Sequence, residues 1–191
     1  MSEDFYEDVL MAGYSGQGLM FIGKLLAYSA MTEGRNVTWI PSYGVEMRGG
    51  SANCTVVMSS RSIGSPVVAH PSTAILMNQY SLEKFGSCVK VGGFLFLNSS
   101  LITQKGKRGK IVTIEVPATE IAIELGNKQV ANMSMLGAYI AHLKVVSKQS
   151  VIKALRLILE TEKRNLFKIN KKALEMGCEH IESNIKKQGA F

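Results

Sequence analysis

Asp8-Val9-Leu10-Met11-Ala12-Gly13-Tyr14-Ser15-Gly16-Gln17-Gly18-Leu19 opens with a short apolar run, passes through three glycines in six residues, and leads into a stretch with helical apolar spacing. Leu19 to Glu33 continues that spacing, so the segment reads as a strand, a tight turn and a helix. Gly34 stands where a helix C′ glycine belongs. Asn36-Val37-Thr38-Trp39-Ile40 then reads as a second strand, stopped by Pro41. A βαβ unit of this kind implies parallel strands.

The pattern outward from this unit stays α/β. Ala52, Cys54, Val56 and Met58 alternate along a strand with one covered face, and Ser59-Ser60-Arg61-Ser62 marks its end. Thr73 to Met77, Gly93 to Leu97 and Ile111 to Val116 read as further strands, with a short helix over Ser81 to Cys88. From Ala118 onward the periodicity turns helical: Ala118 to Leu125, Met133 to Val146, Val151 to Glu162, and about Asn170 to Lys187. The expected architecture is a three-layer Rossmann-like α/β/α domain over residues 1–191, with a largely parallel sheet and a C-terminal helical part at about 133–188.

Composition narrows the function classes. The 191 residues are 46% apolar and 19% charged, with 18 glycines against 4 prolines, which fits a packed domain with many turns. The acidic start, with no apolar run after it, gives no sign of a signal peptide or membrane span, so a cytoplasmic location is expected. The three cysteines are far apart and lack C-x-x-C spacing, which speaks for reduced thiols and against an iron-sulfur cluster held by this chain alone. A net charge of +7 gathers late, in Lys163-Arg164, Lys168, Lys171-Lys172 and Lys186-Lys187. Among helices and without aromatic interleaving, it reads as a solvated face and not as a nucleic-acid surface.

Two motifs are candidates for chemistry. Gly13-Tyr14-Ser15-Gly16-Gln17-Gly18 lies between strand and helix, where N–H groups can receive an anion such as a phosphate. Its G-x-x-G-x-G spacing differs from the dinucleotide fingerprint and from the P-loop, which argues against NAD. The alternative for these glycines is tight turning and close packing. Pro41 to Gly50 carries Tyr43, Glu46 and Arg48 on a loop loosened by Gly44, Gly49 and Gly50. Arg48 can clamp a carboxylate or phosphate, or pair internally with Glu46. His70, His142 and His180 do not cluster at metal-ligand spacing, so no metal site and no catalytic residue are assigned. Cys54 falls on the covered face of its strand, where a thiol is a small core group.

Together G-Y-S-G-Q-G, S-Y-G-V-E-M-R-G-G, S-A-N-C-T-V-V-M-S and Ile63-Gly64-Ser65-Pro66 resemble the gamma subunit, or fused gamma domain, of 2-oxoacid:ferredoxin oxidoreductases. The resemblance continues in Asn132-Met133-x-x-Leu136-Gly137 and Asn170-x-Lys172-Ala173-x-x-x-Gly177. It departs at Ser15, Val45 and Ser72, where that family more often has glycine, proline and aspartate.

The resemblance implies a multi-subunit complex that oxidatively decarboxylates a 2-oxoacid, 2-oxoglutarate first, and forms an acyl-CoA. Thiamine diphosphate with Mg and the iron-sulfur clusters would belong to alpha, beta and delta partners, with ferredoxin or a similar acceptor beyond them. This chain would scaffold its partners and shape the approach to the site, with Tyr43, Glu46, Arg48, Gly49 and Gly50 at the interface and Gly13, Ser15, Gly16, Gln17 and Gly18 near coenzyme A. A stand-alone nucleotide- or phosphate-binding module and an indolepyruvate-type subunit are the competing readings.

Overall fold

The structure, a computed structural model, describes residues 4–43, 50–104, 109–159 and 164–188. The strands are β1 (Tyr6–Tyr14), β2 (Asn36–Tyr43), β3 (Ser51–Ser59), β4 (Thr73–Leu76), β5 (Phe94–Asn98) and β6 (Val112–Val116). The helices are α1 (Leu19–Thr32), α2 (Gln79–Phe85), α3 (Ala118–Glu124), α4 (Ala131–Leu143), α5 (Lys148–Ile158) and α6 (Arg164–Gln188). The six strands form one sheet in the order β2-β3-β1-β4-β5-β6.

β4 pairs parallel with β1 and with β5, and β5 pairs parallel with β6. β3 runs antiparallel to both β1 and β2. Five strands therefore share one direction, and β3 alone opposes them. The β1-α1-β2 unit is parallel as its pattern implies, but its two strands are not neighbours: β3 fills the gap between them.

Pro41 does not stop β2, which continues to Tyr43. Ser15 N–H donates to Gly50 O at 2.9 Å, so the odd residues of β1 exchange hydrogen bonds with the even residues of β3. The odd residues of β3 then face β2 and meet its even residues. Pro41, an odd residue, turns its missing N–H to the open edge, where no ladder bond is lost.

The alternation of side chains divides the core. Val9, Met11, Cys54, Val56, Met58, Ile75, Met77 and Phe96 pack under α1, α3, α4, α5 and α6. Leu10, Ala12, Ala74, Leu76, Leu95 and Leu97 pack on the opposite face with Leu82 of α2. The three layers are thus unequal, with five helices on one side and α2 on the other.

α1 buries Leu19, Ile22, Leu25, Leu26 and Ala30, a spacing of three and four that places one stripe on the sheet. It ends at Gly34, whose φ of 79° lets Arg35 N–H reach back to Ala30 O. No described helix is long and apolar enough to cross a membrane.

Candidate functional site at the carboxyl edge of the sheet

β1 and β4 are adjacent and parallel, yet α1 follows the first onto one face while α2 follows the second onto the other. Diverging connections leave a crevice at the carboxyl ends of the two strands, the usual ligand position in open α/β sheets. Here it is a hollow of about 360 Å³ lined by Gly16, Gln17, Met77, Thr119, Lys128 and Gln129, with Leu101 and Ala131. Lys128 is the one charged side chain among the described residues that line it. A larger hollow of about 580 Å³ lies at the seam of α1, α4, α5 and α6, lined by charges of both signs, Glu33, Lys144, Lys148 and Glu182. It touches none of the glycine turn, so the smaller crevice is the candidate site.

The glycine turn is built by its own sequence. Gln17 N–H donates to Tyr14 O at 3.1 Å, and Gly16 at the third position has φ 93°, the positive value that this β-turn requires. Gly18, at φ 73°, is the N-cap of α1. A Cβ on Gly18 would stand 2.1 Å from Asn132 Nδ2, which donates to Gly18 O at 3.0 Å. The turn is therefore held from α4 as well as from its own strand.

Amides order the rest of the edge. Gln17 Oε1 accepts from Tyr14 N–H at 2.7 Å and from Asn78 Nδ2 at 3.0 Å. Asn78 in turn caps α2, its Oδ1 accepting from Ser81 N–H at 2.9 Å. Asn98, fully buried at the end of β5, donates to Met77 O at 3.2 Å and to Thr119 Oγ1 at 2.9 Å, and accepts from Thr119 N–H at 3.3 Å. Tyr14 and Tyr80 stack beside the turn with centroids 6.4 Å apart.

Gly13, Ser15, Gly16, Gln17 and Gly18 all lie at this edge, as their motif implies. The second motif is brought to the same place: Gly50 is hydrogen bonded to Ser15, and Tyr43 pairs with Ala52, which pairs with Gly13. Glu46, Arg48 and Gly49, and the ion pair weighed for the first two, lie outside the described residues. The sequence reading missed Asn78, Asn98 and Lys128, and named Asn132 only within the resemblance, without its contact to the glycine turn. Its available signal was an asparagine directly after the apolar runs ending at Met77 and Leu97, a residue type that caps and bridges where strands give way to helices.

The thiols are core groups. Cys54 is fully buried and its Sγ–H donates to Leu19 O at 3.5 Å. Burial pushes its thiol up to about 12, and the Trp39 side chain offsets this in part. Cys178 is likewise pushed up, chiefly by burial, to about 11. His142 is wedged against Phe94 and Phe96, and burial lowers its pKa.

Residues 8–180 match the protein family described as pyruvate ferredoxin/flavodoxin oxidoreductase. The chain is 36% identical over 184 residues to ketoisovalerate oxidoreductase subunit VorA of Methanothermobacter marburgensis, covering 96% of this chain but 38% of that protein. It is 31% identical over 170 residues to 2-oxoglutarate synthase subunit KorC of Methanocaldococcus jannaschii, covering 86% and 91%. Among solved structures, the keto/oxoacid ferredoxin oxidoreductase gamma subunit from Geobacter sulfurreducens PCA superposes with a TM-score of 0.79 at 28% identity, covering 93% of this chain and 99% of that one.

Proposed function

The chain belongs to the pyruvate ferredoxin/flavodoxin oxidoreductase family, and from that premise we propose that it is the gamma subunit of a cytoplasmic, multi-subunit 2-oxoacid:acceptor oxidoreductase. The observation that carries this reading is the nearly end-to-end correspondence with a gamma subunit, over 93% of this chain and 99% of the other. The complex would couple oxidative decarboxylation of a 2-oxoacid to formation of an acyl-CoA, with alpha, beta and delta chains holding thiamine diphosphate, Mg and iron-sulfur clusters and passing electrons to ferredoxin or a similar acceptor. We propose 2-oxoglutarate as the substrate, with the likeness to KorC, a 2-oxoglutarate synthase subunit that corresponds over 91% of its length, in support.

Within the complex this chain would act as one domain that scaffolds its partners and contacts coenzyme A at the carboxyl edge. Lys128 offers an ammonium in the lining of the crevice, and Gly16 and Gln17 line it without adding charge. A polyphosphate-bearing, otherwise neutral molecule suits such a lining. Gly13, Ser15 and Gly18 shape the turn behind that wall, while Tyr43, Glu46, Arg48, Gly49 and Gly50 are proposed to face the partner chains.

The test is affinity purification of the full chain from its own cell under anaerobic, low-salt conditions, with co-purifying chains weighed by mass. The expected result is a complex that reduces a viologen dye when given 2-oxoglutarate and coenzyme A together, in preference to 2-oxoisovalerate and pyruvate. Recovery of the chain alone, with no dye reduction, overturns the subunit reading, and preference for another 2-oxoacid overturns the substrate alone.

A further inference from the structure

A glycine turn between a strand and a helix, standing at a sheet switch point, commonly directs its N–H groups at an anion. In this chain three N–H groups at the turn have acceptors within the protein. Ser15 N–H donates to Gly50 O at 2.9 Å and Gln17 N–H to Tyr14 O at 3.1 Å. Tyr14 N–H donates at 2.7 Å to Gln17 Oε1, an oxygen supplied by the turn itself.

The same oxygen accepts from Asn78 Nδ2 at 3.0 Å. Two donors from two different connections thus converge on one neutral carbonyl. The first glycine explains how it fits: a Cβ on Gly13 would lie 2.5 Å from Gln17 Oε1 and 3.1 Å from Met77 Cβ. Gly13 is bare, then, because Gln17 folds inward over it. Around Gly16 nothing stands within 4 Å of the position a Cβ would take, so the outer side of the turn is open.

We infer that the Gln17 carboxamide is a built-in latch, a resident acceptor that closes the inner N–H of the glycine turn and ties the turn to the cap of α2. Its neutral oxygen stands where an anionic oxygen could stand, so Tyr14 N–H is satisfied without ligand. Because Gln17 also lines the crevice, a ligand entering there meets the latch from its open side. Opening it frees Tyr14 N–H and the Asn78 amide together, so the turn and α2 respond as one unit. The latch stands on its own contacts and holds whether or not coenzyme A is the ligand.

The experiment compares the full chain with Gln17→Met, which fills the volume without an oxygen acceptor, Gln17→Ala, which vacates it, and Gln17→Glu, which keeps an acceptor. Amide exchange at Tyr14 is followed by NMR, and inorganic pyrophosphate is titrated into each protein. The expected result is Tyr14 exchange faster by about tenfold or more in Gln17→Met, with wild-type protection in Gln17→Glu. Pyrophosphate should bind Gln17→Ala at least about tenfold more tightly than it binds the natural chain or Gln17→Glu. Equal Tyr14 protection in the natural chain and Gln17→Met, or equal pyrophosphate affinity in the natural chain and Gln17→Ala, overturns the latch. If Gln17→Met does not fold, Gly13→Ala serves instead, since its methyl must drive Oε1 out of the turn; unchanged Tyr14 protection there overturns the inference equally.

Discussion

Gly137 of α4 and Gly177 of α6 meet at a crossing so close that neither position admits a methyl. A Cβ on Gly137 would stand 2.1 Å from Leu174 O, and one on Gly177 would stand 1.9 Å from Ser134 O. Both obstacles are backbone, which cannot rotate away as a side chain can. The glycine ends of the motifs Asn132-x-x-x-x-Gly137 and Asn170-x-x-x-x-x-x-Gly177 are therefore two halves of one contact.

Substituting either glycine by alanine tests this directly. In an ordinary helix interior the change would stabilise by about 0.5–1 kcal/mol. Here the helices must part, and a net loss of about 1–3 kcal/mol in urea unfolding is expected for Gly177→Ala. A gain in stability would mean that the helices pack less tightly than described.

Asn98 is the second test, because it is fully buried and its amide serves three partners, Met77 O, Thr119 Oγ1 and Thr119 N–H. Asn98→Leu keeps the branched shape and removes every bond. Buried groups left without partners cost about 1–3 kcal/mol, so a loss in that range is expected, with the crevice wall at Thr119 loosened. Thermal unfolding measures the first effect, and amide exchange at Thr119 the second.

Glu7 supplies a pH dependence. Its carboxylate accepts from Thr73 Oγ1 at 2.7 Å and from the Tyr139 hydroxyl at 3.2 Å. Burial raises its pKa above the ordinary 4.5, and these hydrogen bonds and Lys90 offset only part of that. A carboxyl with a raised folded-state pKa contributes stability that is fully present below the unfolded value and is lost as pH rises through the folded one. Glu7→Gln, which keeps an acceptor oxygen, should gain on the natural chain as pH climbs from about 4 to about 8. A difference in melting temperature that stays constant over that range would rule Glu7 out.

Glu33 runs the other way. Burial would raise its pKa, but the Ser147 N–H, the Ser147 and Ser150 hydroxyls and Arg35 together lower it. Its contribution is present above the ordinary value of 4.5 and is lost as pH falls through the lowered one. Glu33→Gln should cost stability at neutral pH and little in acid, as thermal melts at both ends would read.

Thiol labelling separates the cysteines. Cys54 and Cys178, with pKa values pushed to about 12 and about 11 and little exposure, should react slowly at neutral pH in the folded chain. Cys88 is partly exposed and should label first. Cys88→Ser is expected to abolish the fast phase with a chromogenic disulfide; a fast phase that survives would place a reactive thiol at one of the buried positions.

Periodicity made most elements legible, since Leu19, Ile22, Leu25 and Leu26, or Cys54, Val56 and Met58, repeat at the period of the element they occupy. Direction and neighbourhood were not legible in the same way. Nothing within β3 says that it opposes the other strands, because alternation is the same whichever way a strand runs. Pro41 misled the boundary for a related reason: whether its missing N–H matters depends on which edge it faces. At the site, the glycines announced a turn, but the acceptor filling it comes from Gln17 and the second donor from Asn78, a contact across 61 residues that no local pattern encodes.

The place of β3 also sets an order of events. α1 carries the chain across two strand spacings, about 10 Å, to a β2 that cannot touch β1. On a ribosome, the first two strands would emerge with a vacant slot between them, and no ladder could join them until Ser51–Ser59 had followed. The hairpin arm completes this half of the sheet by insertion, and the same stroke sets Gly50 against Ser15. Insertion of β3 and the bracing of the glycine turn by Gly50 are thus one event in the history of the chain.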